Sequence, residues 1–351
     1  MREVAVVTTG FFDGVHLGHR HVLSAVVSSA RERGEEAVVV TFWPHPRTVL
    51  QQDAREFRIL TTLEEKKALL AAAGIDRVEV LPFTRAFAAM TAEEYLQLLR
   101  DKYDASLVVM GYDNRIGSDK LTASEICVSQ AVAPRPLPNF VVRCTTQWAP
   151  PVPGEIVGPP IVPPGTPALT GPAEGGHGPA KHISPMPVKT PDSCHSERSP
   201  KDEVEESPIS STRIRKALQE GRVEEANAML GYRYGLYGAV VAGNRLGRTI
   251  GFPTANMQLY EPLKLVPGNG VYVVDVEVLG RQFRGMCNIG MRPTVGGAAR
   301  TIETHILDFD EDIYGLPLRL RFVRRLRDER KFPSLEALQT QLAQDALNCK
   351  K

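Results

Sequence analysis

Within the first 110 residues, short apolar runs alternate with longer amphipathic stretches. The runs Val4–Val7, Ala37–Phe42, Val78–Leu81 and Leu107–Met110 have the length and continuity of strands buried on both faces. Between them, Leu17–Arg33, Leu63–Ala73 and Ala92–Lys102 repeat apolar residues with helical spacing. Thr91 and Glu94 are spaced as a capping box, and Gly34 and Gly74 stand where helices should stop. Strand–helix alternation predicts a parallel sheet with helices on its faces. Such sheets bind ligands outside the carboxyl ends of their strands.

The pattern stops at Pro134. Residues 134–208 hold 18 of the 27 prolines, with Gly, Ser and Thr filling much of the rest. Proline serves neither a helix interior nor a central strand, so residues 131–206 read as a disordered insertion or linker. Phe140–Cys144 is its one strand-like fragment. Pro160–Pro163 has PxxP spacing, which a Pro-rich tract produces by chance. Periodicity resumes at Ile209. Ser210–Glu220 and Val223–Leu230 read as short helices. Leu236–Ala242, Val271–Val278, Phe283–Ile289, Thr301–Leu307 and Leu318–Leu326 then read as strands, and Ser334–Leu347 as a closing helix. Antiparallel strands with one terminal helix predict a small β-barrel. The expected domains are 1–130 with 207–229, and 230–351.

Composition narrows the class. With 351 residues, two cores are expected. A net charge of +1 leaves no footprint for nucleic acid or an anionic membrane. Five cysteines lack metal-knuckle or redox spacing, which predicts reduced thiols in the cytoplasm. Val4–Val7 is too short for a secretory core, and no apolar run reaches a membrane span of about 20 residues. Oligomeric state is not legible.

The first candidate chemistry lies where strand Val4–Val7 runs into Thr9-Gly10-Phe11-Phe12-Asp13-Gly14-Val15-His16-Leu17-Gly18-His19. Glycines at a strand-to-helix turn let backbone approach a ligand, and the helix start offers free N–H groups to phosphate. His16 and His19 can donate hydrogen bonds to a phosphate that gains charge in a transition state. A purely structural turn leaves the histidine pair unexplained, and no third ligand of suitable spacing supports a metal. The second element, Ser210-Ser211-Thr212-Arg213-Ile214-Arg215, reads as helix capping or as a phosphate cradle of hydroxyls, dipole and arginines.

His-x-Gly-His paired with Ser-Ser-Thr-x-x-Arg resembles the nucleotidyltransferase superfamily. The longer string Phe12–His19, with Thr41-Phe42-Trp43-Pro44-His45-Pro46, resembles the FMN adenylyltransferase half of bifunctional bacterial riboflavin kinase/FAD synthetases. The resemblance implies a Rossmann-like α/β domain binding ATP. Phe12, Asp13, Gly14, Gly18, Ser210, Ser211 and Thr212 would then hold the nucleotide, and His16, His19 and Arg215 would act on the transferred phosphate. His45, Pro46 and Asp113 would help hold flavin. Gly111–Gly117 lacks two ring-bearing residues of the family pattern. The Pro-rich stretch replaces the family's helix and strand before Ser210. Their loss would expose core and misplace the cradle.

The second candidate chemistry begins at Gly247-Arg248-Thr249-Ile250-Gly251-Phe252-Pro253-Thr254-Ala255-Asn256. A glycine loop can cover phosphates, and a Thr hydroxyl with an Asn carbonyl suits Mg²⁺; a β-turn capped by Asn is the plainer reading. Alternation in Thr301–Leu307 puts Glu303 and His305 on one face, where a carboxylate can take a proton or merely be solvated. These motifs, with Gly270-Val271-Tyr272, Asn288–Thr294 and Asp312–Gly315, resemble a riboflavin kinase domain. The resemblance implies a Greek-key β-barrel. In it Thr254 and Asn256 bind Mg²⁺–ATP, Gly247, Gly251 and Pro253 border the nucleotide, Arg292 touches loop or flavin, and Glu303 is the base. The whole predicts an enzyme that phosphorylates riboflavin to FMN and adenylylates FMN to FAD. A riboflavin kinase with an impaired first half, or a non-catalytic flavin-binding or partner-docking protein, are the other readings.

Overall fold

The computed structural model describes residues 4–50, 57–111, 114–126, 141–145, 209–243, 246–294 and 297–350. Asp113, the side chain of Arg292, and most of the Pro-rich stretch with its PxxP match lie outside the described residues.

The first half follows its apolar pattern closely. β1 (Ala5–Thr9), α1 (Leu17–Arg33), β2 (Glu36–Trp43), α2 (Pro46–Leu50), α3 (Leu63–Ala72), β3 (Arg77–Pro82), α4 (Arg85–Ala88), α5 (Ala92–Tyr103) and β4 (Ala105–Met110) succeed one another. A small hairpin, β5 (Arg115–Ile116) with β6 (Leu121–Thr122), comes next, then β7 (Val141–Cys144). The sheet order is β3-β2-β1-β4-β7, and every pairing is parallel. β1 and β4 are buried along their whole lengths, as central strands covered on both faces must be. Gly34 ends α1 in the left-handed region, φ 66°, where a Cβ is disfavoured. The capping box of Thr91 and Glu94 is formed.

Val141–Cys144 falls inside the stretch read as linker, yet it pairs with Leu107–Met110 and completes the sheet edge. The strand is therefore present, and the missing-strand expectation is corrected: Val142 still needs burial, and β4 offers an open edge.

The second half contains α6 (Ser211–Gln219), α7 (Val223–Leu230), β8 (Gly235–Val241), α8 (Leu246–Thr249), β9 (Ala255–Leu259), β10 (Gly270–Val278), β11 (Arg281–Thr294), β12 (Gly297–Ile306), β13 (Pro317–Arg327) and α9 (Leu335–Cys349). The six strands close into an antiparallel barrel in the order β10-β11-β12-β9-β8-β13. β9 is absent from the sequence-based expectation, because Ala255–Leu259 has no β-branched residue.

The barrel core does not stop at residue 230. Ile214, Ala217 and Leu218 of α6, and Val223, Ala226 and Leu230 of α7, share one apolar cluster with Leu236, Tyr272 and Phe322. The two helices assigned by sequence to the first domain thus pack with the second. Leu60, from the first half, enters the same cluster with no exposed surface. Around it Ile59 donates to the Leu263 carbonyl at 2.9 Å, Leu265 donates to the Ile59 carbonyl at 2.9 Å, and Lys264 Nζ donates to the Leu60 carbonyl at 2.8 Å. Among the described residues no helix is long and apolar enough to cross a membrane.

Truncating this residue should weaken the barrel although it belongs to the other half of the chain. Leu60→Ala is expected to cost about 2–5 kcal/mol in urea unfolding, the range for a buried leucine whose cavity cannot fully collapse.

Candidate active sites

β1 ends at Thr9, and the chain turns sharply before α1. Phe12 (φ 49°), Gly14 (φ 86°) and Val15 (φ 37°) all lie in the left-handed region, so two non-glycine residues are held against their preference. Burial and hydrogen bonds hold them. Phe12 and Val15 sit in the apolar core. The Asp13 carboxylate accepts from the backbone N–H groups of Leu60 and Thr61, each at 3.0 Å, and from the Thr61 hydroxyl at 3.2 Å. Its other oxygen meets the Arg215 guanidinium. Tyr232 donates to the Gly14 carbonyl at 2.8 Å. Asp13 therefore ties the turn together through protein donors. Gly14 is required for packing, since a Cβ there would lie 2.9 Å from Leu60 Cδ1.

The turn aims the first histidine at the start of α1. His16 is the N-cap: its Nδ1 accepts from the His19 N–H at 3.3 Å, which leaves Nε2 to carry the proton. The His16 and His19 rings stack at 3.6 Å. Burial, then Arg215 and Arg20, lower the His16 pKa to about 4. Burial, then His16 and Lys66, push His19 well below its usual value. His45 falls to about 3 through burial and the cations Arg215, Lys66 and Arg47. All three imidazoles are neutral at pH 7, donors without charge. His19 Nδ1 is buried with no hydrogen-bond partner among the described residues.

Helix α6 arrives from the opposite side. Ser210 caps it by accepting from Arg213 N–H, and the Ser211 hydroxyl donates to the Asp13 carbonyl at 2.9 Å. Arg215 Nε donates to the Arg58 carbonyl at 2.9 Å. One cavity of about 380 Å³ is lined by Phe12, Asp13, His16, Gly18, His19, His45, Ser210, Ser211, Thr212 and Arg215. The cradle is thus in place, and the expected displacement of Ser210–Arg215 is corrected: Asp13 and the barrel core locate α6, whatever the length of chain before it. Two helix N-termini converge on the cavity, which suits a polyanion.

A second cavity of about 440 Å³ adjoins the first and shares Gly10, Phe11 and Asn114 with it. Its walls are Phe42, Phe83, Phe87 and Tyr95, with Pro46 at the edge. Phe42 and Phe87 meet at 5.3 Å and Phe87 and Tyr95 edge-on at 5.5 Å, and Tyr95 Oη lies 2.5 Å from Thr9 Oγ1. His45 and Pro46 therefore divide between the two cavities. The four aromatics escape sequence reasoning because each reads as an ordinary core residue.

In the barrel, Asn256 of β9 stands directly across from Glu303 of β12, and Asn288 of β11 stands on the other side of Glu303. Ile302, Thr304 and Ile306 point inward and are buried, so Glu303 and His305 face outward. Thr254 precedes Asn256 by two and lies immediately before β9 begins. His305 Nδ1 lies 2.8 Å from the Pro253 carbonyl, and Phe252 N–H donates to the Gly247 carbonyl at 2.8 Å, which draws the 247–254 loop closed. Gly251 is exposed at its tip, φ 81°. A cavity of about 260 Å³ takes in Pro253 and Thr254 together with Arg248, Asp312 and Tyr314; Glu303 and Asn256 lie outside its lining. Asn288 and Tyr314 are additions to the expected set.

The comparisons follow the two halves. The family described as FAD synthetase matches residues 1–132, and that described as Riboflavin kinase matches residues 230–351. A bifunctional riboflavin kinase/FMN adenylyltransferase of Escherichia coli strain K12 is 32% identical over 99% of this chain and 93% of its own. That of Bacillus subtilis strain 168 is 30% identical over 97% and 90%. The chain belongs to the bifunctional riboflavin kinase/FMN adenylyltransferase family. A solved structure named as a macrolide-efflux protein from Streptococcus pneumoniae superposes with a TM-score of 0.76 and 30% identity, covering 100% of this chain and 95% of that one. Membership in the family accounts for both a parallel sheet and a closed barrel in one chain.

The buried neutral histidine makes stability depend on acid. His16 is 5% exposed, with a folded pKa of about 4 against 6.5 unfolded. Below pH 6.5 the unfolded chain takes up a proton that the folded one refuses. Stability is therefore full above that pH and falls toward pH 4, by about 1.4 kcal/mol per pH unit and about 3 kcal/mol in all. His16→Asn keeps a capping acceptor, and urea unfolding across this range should show that slope reduced.

Proposed function

We propose that the chain phosphorylates riboflavin to FMN in its barrel and adenylylates FMN to FAD in its sheet domain, each with ATP. The observation that carries the second activity is the meeting of the His16–His19 turn and the Ser210–Arg215 helix on one cavity, with an aromatic cavity beside it. The aromatic cavity suits an isoalloxazine ring, and the cavity at the helix starts suits the triphosphate.

In adenylyl transfer, an FMN phosphate oxygen attacks the α-phosphorus of ATP in line, and pyrophosphate leaves. His16 and His19, uncharged, donate hydrogen bonds to oxygens that gain charge. Thr212 and the N–H groups at the starts of α1 and α6 hold the phosphates. Arg215, clamped between Asp13 and the Arg58 carbonyl, holds α6 against the turn and lends its charge. Gly18 keeps the wall beside His16 low; a Cβ there would lie 3.3 Å from the imidazole. No covalent intermediate is needed.

In the kinase reaction, Glu303 takes the proton of the riboflavin 5′-hydroxyl as its oxygen attacks the γ-phosphorus, and ADP leaves. Thr254, just before β9, and Asn256 within it are neutral oxygen donors, and Asn256 stands across from Glu303. That set fits Mg²⁺, which keeps waters and shares phosphates rather than needing a protein cage. Bound there, Mg²⁺ would offset negative charge on the ATP phosphates. Gly247, Gly251 and Pro253 shape the loop over them. Arg292 and Asp113 are proposed as flavin contacts on the family resemblance alone. Free thiols at Cys144, Cys287 and Cys349 suit a reducing cytoplasm.

The test uses the two activities against each other. With riboflavin, ATP and Mg²⁺, chromatography should show FMN and then FAD. Glu303→Gln should lower FMN formation by about 100-fold or more and leave adenylylation of supplied FMN within about twofold. His19→Ala should do the reverse, by about 100-fold. A wild-type chain that makes FMN but no FAD refutes the bifunctional reading.

A further inference from the structure

α3 carries one residue that its pattern does not explain. Its buried positions are Lys66, Leu69 and Leu70, the spacing of one helix face turned to the core. The first of the three is a lysine with no exposed surface. A buried ammonium is costly unless something compensates it. The partners described for Lys66 Nζ are the Thr41 hydroxyl at 3.4 Å and the face of the Phe11 ring at 3.9 Å. Thr41 in turn donates to the Phe11 carbonyl at 3.3 Å. The same cation therefore grips Phe11 through its ring and, by way of Thr41, through its backbone.

Phe11 is the start of a column. Its ring meets His45 at 3.8 Å, His45 meets Phe57 at 4.2 Å, and the Arg215 guanidinium lies 4.8 Å over Phe57. A cation caps each end, Lys66 at one and Arg215 at the other, and aromatic rings fill the middle. Phe11 also lines both cavities, so the column is part of the wall where flavin and triphosphate would meet.

We propose that Lys66 is a positioning residue for adenylyl transfer, its buried ammonium fixing Phe11 as the partition between the flavin and phosphate cavities. This rests on the adenylyltransferase reading above. Lys66 reaches neither cavity and touches no reacting atom; it acts through Phe11. The titratable groups that face it are Asp13 from the turn, His19 from α1 and His45 beyond β2. Asp13 favours its charge, but burial dominates and lowers its pKa to about 8. The ammonium form thus predominates at neutral pH and is lost as pH rises through that value.

The experiment follows FAD formation from FMN and ATP in wild type, K66M and K66R, with FMN formation from riboflavin by the same chain as internal control. K66M is expected to raise KM for FMN by about tenfold with kcat changed less than about threefold, and to leave riboflavin phosphorylation as in wild type. Wild-type kcat/KM for FMN should fall as pH rises through about 8, and K66R, whose charge persists, should lack that fall while keeping most of the activity. Unchanged FMN kinetics in K66M, an alkaline fall that persists in K66R, or equal loss of both activities in K66M would each overturn the proposal. A wild-type chain that makes no FAD overturns the adenylyltransferase reading instead.

Discussion

The Asp13 carboxylate is the point on which the first site depends. It is 3% exposed, and its oxygens tie the turn that carries it to two other segments, Leu60–Thr61 and Arg215 of α6. A buried carboxylate must be compensated, and the compensating donors here come from two distant parts of the chain. The need to satisfy one charge therefore brings together two helix starts separated by nearly 200 residues. The left-handed Phe12 and Val15 are tolerated for the same reason, because a locally unfavourable turn persists when its surroundings over-determine it.

The same logic makes the two halves one packed unit. α6 presents its polar start to the sheet domain and its apolar face to the barrel. Leu60 lies next to residues that bind Asp13, yet its side chain is in the barrel core. Lys264 answers from the barrel side, meeting both the Leu60 carbonyl and Glu65. A boundary drawn at residue 230 separates two family matches, but it cuts through one core.

The sheet and its helices are legible in the sequence where burial imposes a period. Continuous apolar runs locate β1 to β4 because both faces are covered, and Gly34 marks the end of α1 because its φ is positive. Legibility fails where a residue's role comes from what lies opposite. Ala255–Leu259 carries little strand propensity and pairs because β8 and β12 flank it. Phe42, Phe83, Phe87 and Tyr95 read as core until the fold leaves a space between them. Asp13 reads as a nucleotide contact because the motif sits at a phosphate-binding turn, and only the packing shows its oxygens occupied. No motif singles out Lys66, and the helix phase that buries it is visible only once Leu69 and Leu70 are seen on the same face.

The two sites then differ in how they are built, and the difference follows from their chemistry. Adenylyl transfer joins two phosphates, so its cavity is enclosed by two helix dipoles, with neutral imidazoles in place of fixed acids that would repel both partners. Phosphorylation of a hydroxyl needs a base, and a carboxylate beside ATP is tolerable only where solvent and a cation can reach it. The proposed base, Glu303, meets that condition on the outer face of the barrel, half-buried between Asn256 and Asn288. The enclosed site needs a distant residue to stay formed, through Asp13 and Arg215. The open one is assembled by strand register and one short loop, and for that reason its motifs keep their meaning when read one segment at a time.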